Sequence, residues 1–285
     1  MGNLSKDLGM EVRVPSFDLC RHIIELAEQG YTIIPSILSG GQVESAKIAL
    51  DRILAEEVAI GSDPETDTES HQVTFLLPGK DPLFRAMPAN PCLMAIMENV
   101  LGPDFVLAAF NGLIMKPQGK AQRLHMDQED SVSDMAVTIN ALHVLDDFTK
   151  ENGATRLVPG SHKSVWPRRG AMDERESDAI HICAPAGSVI AYNGGILHAG
   201  SANLTNQPRR ALHLFYCRKW VLPHWDFEKS LPSSICSSMS DEEKRLFGFR
   251  HRPDWYDFSQ RRKQRGRALP EVRPSKRGLF SWGRR

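Results

Sequence analysis

The sequence predicts a mainly β protein with flanking helices, and three observations carry that expectation. Between Ser16 and Gly102, apolar residues recur at helical spacing between capping residues. From about residue 105 to 220 the texture changes to short runs rich in β-branched and aromatic residues, separated by turn residues. That is the pattern of an antiparallel sandwich or barrel. No run of about 18 apolar residues occurs, so no membrane-crossing helix is expected.

Taken in order, Ser16 to Gly30 (SFDLCRHIIELAEQG) reads as a helix that Ser16 or Asp18 can cap and Gly30 can end. YTIIPSIL follows as a short strand interrupted by Pro35. A second helix should start near Ser39, with Val43, Ala46, Leu50, Ile53 and Leu54 forming its apolar stripe. GSDPETDTES is a polar loop. Asn90-Pro91 fits the cap and first position of a third helix, with Gly102 just past its end. The strands that follow are FVLAAFNGLIM, MAVTINALHVL, ATRLVPG, AIHICAP, GSVIAYNG and RRALHLFYCRKW. After Trp220 the chain is loop-like, until Ser240 and Glu243 offer a capping box to a short helix. One domain over 1–260 is expected, with a helical part at 16–102, the β core at 105–220 and a variable cap at 221–260.

The zero net charge hides an asymmetry. The segment 261–285 carries ten Lys/Arg and one acid, a net of +9, so the remainder carries −9. Arg-, Pro- and Gly-rich with few apolar residues, this tail is expected to be disordered. Nucleic-acid binding is not expected, because the catalytic body itself is acidic. The five cysteines form no CxxC pair, and the N-terminal residues show no secretory h-region. Reduced thiols and a cytoplasmic location are expected.

The chemistry centres on AQRLHMDQED. His125 and Asp127 are two residues apart at a strand end, so both side chains point to one side. Two imidazoles and a carboxylate, with open positions left over, are the pattern of non-haem Fe(II) oxygenases. The third ligand must come from a distant strand. His198, ending a strand among Gly194, Gly195 and Gly200, is the best candidate. Arg209, eleven residues later, enters the next strand, where a buried guanidinium can take the distal carboxylate of a dicarboxylic co-substrate. Met126 should point away from the metal by alternation.

RLHMDQ, VLDDFTKENGATRLVPGSH and LHAGSANLTNQPRRALHLFY together resemble the phytanoyl-CoA dioxygenase family of Fe(II)/2-oxoglutarate-dependent oxygenases, closest to members that tailor natural products. The resemblance covers roughly 20–220. It implies a double-stranded β-helix (jelly-roll, cupin-like) core, with Fe(II) on His125, Asp127 and His198 and 2-oxoglutarate gripped by Arg209. Gln122 and Thr155 match positions that line the co-substrate pocket. It further implies that O2 oxidises a C–H bond while 2-oxoglutarate becomes succinate and CO2. Because Asp127 is present, hydroxylation or desaturation is implied rather than halogenation. His143 stands where many members carry an aromatic residue, Gly200 where many carry Ser, and nothing after about Trp220 matches.

The substrate is expected to be a small to medium organic molecule; nothing indicates a CoA thioester. Gln72 and Phe75 are read as substrate-binding. His143 is read as either a pocket or a core residue. His213 shares a strand face with Arg209 and either looks into the barrel or sits in the core. Two other readings are a jelly-roll metal-binding protein without oxygenase activity and an oxygenase recruited to a macromolecule by the basic tail. Whether the chain is a monomer or homodimer is left open.

Overall fold

The structure, a computed structural model, describes residues 17–61, 66–128, 135–164 and 172–249. The expectation of a disordered tail at 261–285 and the end of the cap lie outside the described residues.

The first helix, α1 (Leu19–Glu28), starts where the Asp18 side chain accepts the backbone N–H of Arg21. Gly30, at φ +85°, turns the chain into β1 (Tyr31–Ile34), which stops before Pro35. Helix α2 (Gly40–Ile60) carries the capping box of Ser39 and Gln42, and its stripe Val43, Ala46, Leu50, Ile53 and Leu54 is buried. A strand not foreseen from the sequence follows, β2 (His71–Thr74), and then a short turn of helix, α3 (Pro82–Arg85). Helix α4 (Pro91–Leu101) is capped by Asn90, whose side chain accepts from Cys92 and Leu93.

The remaining strands are β3 (Val106–Met115), β4 (Thr138–Val144), β5 (Thr155–Leu157), β6 (Ile180–His181), β7 (Val189–Asn193), β8 (His198–Gly200) and β9 (Arg209–Cys217). They form two antiparallel sheets, one of six strands in the order β1-β7-β4-β9-β3-β2 and one of three in the order β6-β5-β8. This is the double-stranded β-helix core with flanking helices that the sequence predicts. The N-terminal part is not purely helical, however, since β1 and β2 close the two edges of the large sheet. The sheet thus ends on two strands of only four residues each, and short edge strands offer little to template pairing with another chain.

Every residue of β4 is buried, because the large sheet is covered on both faces. Ile139, Ala141, Leu212, Leu214 and Tyr216 face a core shared with α2 and α4. Leu142, Val144, Ile190, Tyr192 and Ala211 face Phe148, Leu157, Ile182 and Ala184 between the sheets. Each fully buried side chain of this size contributes about 1.5–3 kcal/mol. The parity of each strand therefore decides which side chains enter the barrel. The last described helix, Asp241–Leu246, has the expected capping box from Ser240 and Glu243.

Candidate metal centre

His125 lies beyond the end of the small sheet but is tied to it by a bridge to His198. The two residues exchange both backbone hydrogen bonds, at 3.0 and 2.9 Å. That pairing puts the rings side by side, with centroids 4.4 Å apart. Two residues on, the N–H groups of Asp127 and Gln128 both donate to the Gly194 carbonyl at 3.0 Å. Alternation thus brings His125, Asp127 and His198 together and turns Met126 into the apolar cluster of Leu124, Val158, Leu197 and Ala199.

The donor set fits a single divalent ion. One ligand atom from each residue lies within 4.8 Å of the others. Asp127 Oδ1 is 3.8 Å from His125 Nε2, and Oδ2 is 3.4 Å from His198 Nε2. Two ligands at right angles on an ion, each at about 2.1 Å, are about 3 Å apart, so slight closure suffices. The ring orientations also fit. His125 Nδ1 faces the Arg123 carbonyl and His198 Nδ1 the Ile196 carbonyl, both at 3.0 Å. A carbonyl can only accept, so both Nδ1 atoms carry the proton and both Nε2 lone pairs are free for metal, as is usual for metal-binding histidines. Burial disfavours the charged form of His125, and neighbouring His198 lowers it further. Burial also disfavours charge on His198, but Asp127 outweighs it and holds that ring above its ordinary value. The Asp127 carboxyl is held below the usual range despite burial, chiefly by His198.

A cavity of about 200 Å³ opens on this triad, and Gln72, Gln122, Thr155, Arg209 and His213 all line it. Arg209 is 5% exposed. Its guanidinium lies 4.2 Å from the centroid of the Phe148 ring, and among the described residues its Nε has no hydrogen-bond partner. Burial pushes its pKa down to about 10, offset in part by Asp146 and Tyr192. An unpaired buried cation beside a metal triad is a site awaiting an anion. Arg210, the next residue, faces the other way and pairs with Asp51 on α2 at 2.7 Å and with Asp146 at 3.2 Å.

The Gln122 backbone pairs with Gly200, and its side-chain Oε1 accepts the Gly200 N–H at 2.9 Å. That leaves the amide NH2 as its free donor. Thr155 is paired in register with Gly200. A Cβ on Gly200 would stand 3.1 Å from both Gln122 Oε1 and Met115 Cε, so Gln122 and Met115 fill the space that a side chain at this position would need.

Two residues singled out from the sequence lie outside this cavity: His143, read as either a pocket or a core residue, and Phe75, read as substrate-binding. His143 does not enter the cavity. Asn140 and Leu142 face the barrel, so His143 faces the helices, fully buried, with neither ring nitrogen hydrogen-bonded among the described residues. Phe75 follows the end of β2, and its ring packs on Trp225, with centroids 5.2 Å apart, rather than lining the cavity. Gln72 does line it, because β2 pairs with β3.

Sequence reading missed several residues. Asn140 donates through Nδ2 to Asp127 Oδ2 at 2.9 Å, and its Oδ1 meets His213 Nε2 at 2.6 Å. Tyr192 lines the cavity with its ring centroid 4.8 Å from that of His198, and burial raises its pKa well above the ordinary value. Arg156 ties the first ligand segment to β8, donating to the carbonyls of Gly200 at 2.9 Å and Gln122 at 2.7 Å. The only signal for Asn140 was its parity with Leu142, which cannot be used until one residue of β4 has been assigned a face.

Comparisons agree with this geometry. Dioxygenase af480 of Aspergillus fumigatus is 28% identical over 256 residues, covering 87% of this chain and 81% of that protein. Among solved structures, HygX from Streptomyces hygroscopicus with nickel and 2-oxoglutarate bound aligns with a TM-score of 0.60 at 20% identity, covering 71% of this chain and 88% of the other. The non-heme alpha ketoglutarate dependent carbocyclase SnoK from nogalamycin biosynthesis aligns with a TM-score of 0.62 at 20% identity, covering 77% and 90%. At that identity the structures speak for the fold. The family model described as phytanoyl-CoA dioxygenase (PhyH) matches residues 26–211, and with the triad and the β-helix in place across that span the chain belongs to the phytanoyl-CoA dioxygenase family of Fe(II)/2-oxoglutarate-dependent oxygenases.

Proposed function

We propose that this chain binds Fe(II) through His125, Asp127 and His198, binds 2-oxoglutarate through Arg209, and oxidises a C–H bond of a small to medium organic metabolite of secondary metabolism. Arg209 carries the reading: a buried guanidinium with an unpartnered nitrogen shares one cavity with the triad. A metal-binding jelly roll without a co-substrate has no use for that cation, which costs stability when unpaired. HygX, whose structure holds nickel and 2-oxoglutarate, and SnoK, of nogalamycin biosynthesis, support both halves of the reading.

Each residue has a role. Arg209 takes the distal carboxylate as a two-pronged, charge-assisted pair. Gln122 offers its amide NH2 and Thr155 its hydroxyl to the same molecule. Asp127 would supply the one anionic ligand beside the two imidazoles, so the ion held there would keep room for co-substrate and O2. Iron held there supplies O2 activation coupled to the decarboxylation of 2-oxoglutarate to succinate. The apolar walls, Leu113, Ile114 and Leu142, keep water from competing at the reacting centre. Gln72 and His213 are the cavity groups left for the substrate.

No helix among the described residues is long and apolar enough to cross a membrane. The cysteines among the described residues are unpaired, which supports a reducing, cytoplasmic setting. The domain layout of 1–260 followed by a basic tail belongs to the same proposal. The test is turnover: the Fe(II)-loaded chain in air should convert 2-oxoglutarate to succinate, slowly without substrate and faster with a matching metabolite from a library. Absence of 2-oxoglutarate binding to the Mn(II)-loaded chain by calorimetry would refute it.

A further inference from the structure

Asn140 and His213 sit at inward positions of neighbouring strands, among apolar neighbours such as Leu142, Val144 and Ala211. Asn140 is 0% exposed. An amide and an imidazole are costly there unless their hydrogen bonds are used. They are used on each other and on a metal ligand: Asn140 lies 2.9 Å from Asp127 Oδ2 and 2.6 Å from His213 Nε2.

Hydrogen-bond polarity fixes the whole chain. A carboxylate only accepts, so the Asn140 NH2 must face Asp127. The Asn140 oxygen then faces His213, and an amide oxygen also only accepts. His213 Nε2 must therefore carry the proton, and in the neutral ring Nδ1 is bare. Asp127 Oδ2, already holding the Asn140 N–H, is disfavoured as a second metal ligand. Oδ1 is left to bind the ion alone.

We propose that Asn140 and His213 are positioning residues that hold Asp127 as a one-oxygen ligand, and that the same relay locks His213 as the Nε2–H tautomer with Nδ1 presented as a hydrogen-bond acceptor to a substrate O–H or N–H. This rests on the metal reading of the triad. One-oxygen ligation would leave more of a bound ion open to co-substrate and O2 than a two-oxygen carboxylate would. His213 lines the cavity, and among the described residues its Nδ1 has no hydrogen-bond partner. It is therefore an acceptor of a cavity-lining residue that no structural contact among the described residues uses.

The test combines spectroscopy with metal affinity on the full chain. In the Zn(II)-loaded protein, labelled with 15N at histidine, long-range proton–nitrogen spectra at pH 8 should show His213 protonated at Nε2 and bare at Nδ1. The opposite tautomer overturns the proposal. Mn(II) dissociation constants, read from the free aquo-ion by electron paramagnetic resonance, should rise 10- to 100-fold in Asn140→Leu, the usual effect of removing a partner of a metal ligand. His213→Leu should lose several-fold. His213→Gln, which can still offer an N–H to Asn140, should stay within about threefold of the unaltered chain, an outcome not expected if the ring only packs. Equal losses in His213→Gln and His213→Leu, or Asn140→Leu binding Mn(II) like the unaltered chain, would overturn the relay. If Asn140→Leu fails to fold, the His213 pair and the tautomer still decide. If the unaltered chain binds no Mn(II), the metal reading and the relay fall together.

Discussion

Arg209 and Arg210 make the sharpest prediction because they are adjacent and do opposite things. Arg209 enters the barrel with no carboxylate partner among the described residues, while Arg210 leaves it and pairs with Asp51 and Asp146. The pKa of Arg209 falls from 12.5 to about 10 through burial. At 1.36 kcal/mol per pKa unit, carrying that charge costs the ligand-free protein about 3 kcal/mol. The Phe148 ring returns roughly 0.5–2 kcal/mol of this. Arg209→Met should therefore stabilise the ligand-free protein by roughly 1–2 kcal/mol, which is unusual for a substitution at a binding site. The same change should raise the 2-oxoglutarate dissociation constant by two to four decades, because a buried pair broken at one partner costs about 3–5 kcal/mol. Arg210→Ala should behave inversely. Its dissociation constant should move by less than tenfold, while stability falls by about 1–3 kcal/mol as three partly exposed charged hydrogen bonds to Asp51 and Asp146 are lost. Calorimetric titration of the Mn(II)-loaded proteins measures the first quantity and denaturant melts without ligand measure the second. At 2-oxoglutarate a hundredfold above its dissociation constant the unaltered protein gains about 2.7 kcal/mol, a gain that Arg209→Met should lack. If Arg210→Ala proved the variant that loses 2-oxoglutarate, the inward parity assigned to β9 would be wrong.

Two further outcomes are expected. Replacing His125, Asp127 or His198 singly by Ala should abolish succinate formation and Mn(II) binding while leaving the circular-dichroism spectrum intact, because the cores lie elsewhere; activity in all three variants would remove the triad from the mechanism. His143 should give the protein an acid-sensitive slope: burial pushes its pKa down from 6.5 to about 4, so above pH 6.5 neither state is charged, and below it the unfolded chain takes up a proton that the folded one refuses. Stability should then fall by about 2 kcal/mol between pH 7.5 and 5, and His143→Leu should lose that part of the slope. Identical slopes in urea melts of the two proteins would contradict the burial argument.

The candidate metal ligands and Arg209 were legible in the sequence because each is anchored by a local rule. Two residues apart means one side of a strand, and the counting runs directly from His125 to Asp127 and from Arg209 to His213. Three helix starts were legible because Ser39, Asn90 and Ser240 cap them with side chains that name their position. Each miss has its own cause. β4 is buried on both faces, so its sequence carries no alternation, and nothing local says whether His143 or Asn140 faces the metal. β2 was missed because its four residues include His, Gln and Thr, and the strand exists only by pairing with β3. Phe75 was assigned to the pocket through its neighbourhood with Gln72, and the end of β2 separates them.

This distribution follows from how the site is built. His125, His198, Thr155 and Gly200 belong to the small sheet or its bridge, and Asp127 hangs from the Gly194 carbonyl beside it. Arg209, His213, Asn140 and Tyr192 belong to the large sheet. The atoms proposed to bind metal thus come from one layer, with Gln122 and Thr155 beside them, and the guanidinium proposed to take the distal carboxylate comes from the other, with the groups that orient Asp127. Their separation is set by the apolar layer between the sheets, in which Leu142, Leu157, Ile190 and Ala211 interdigitate. Close-packed interiors transmit volume changes rather than absorb them. The distance from triad to guanidinium is therefore set by apolar side chains that supply neither a ligand nor a charge, and a local sequence motif can specify the ligands without specifying that distance.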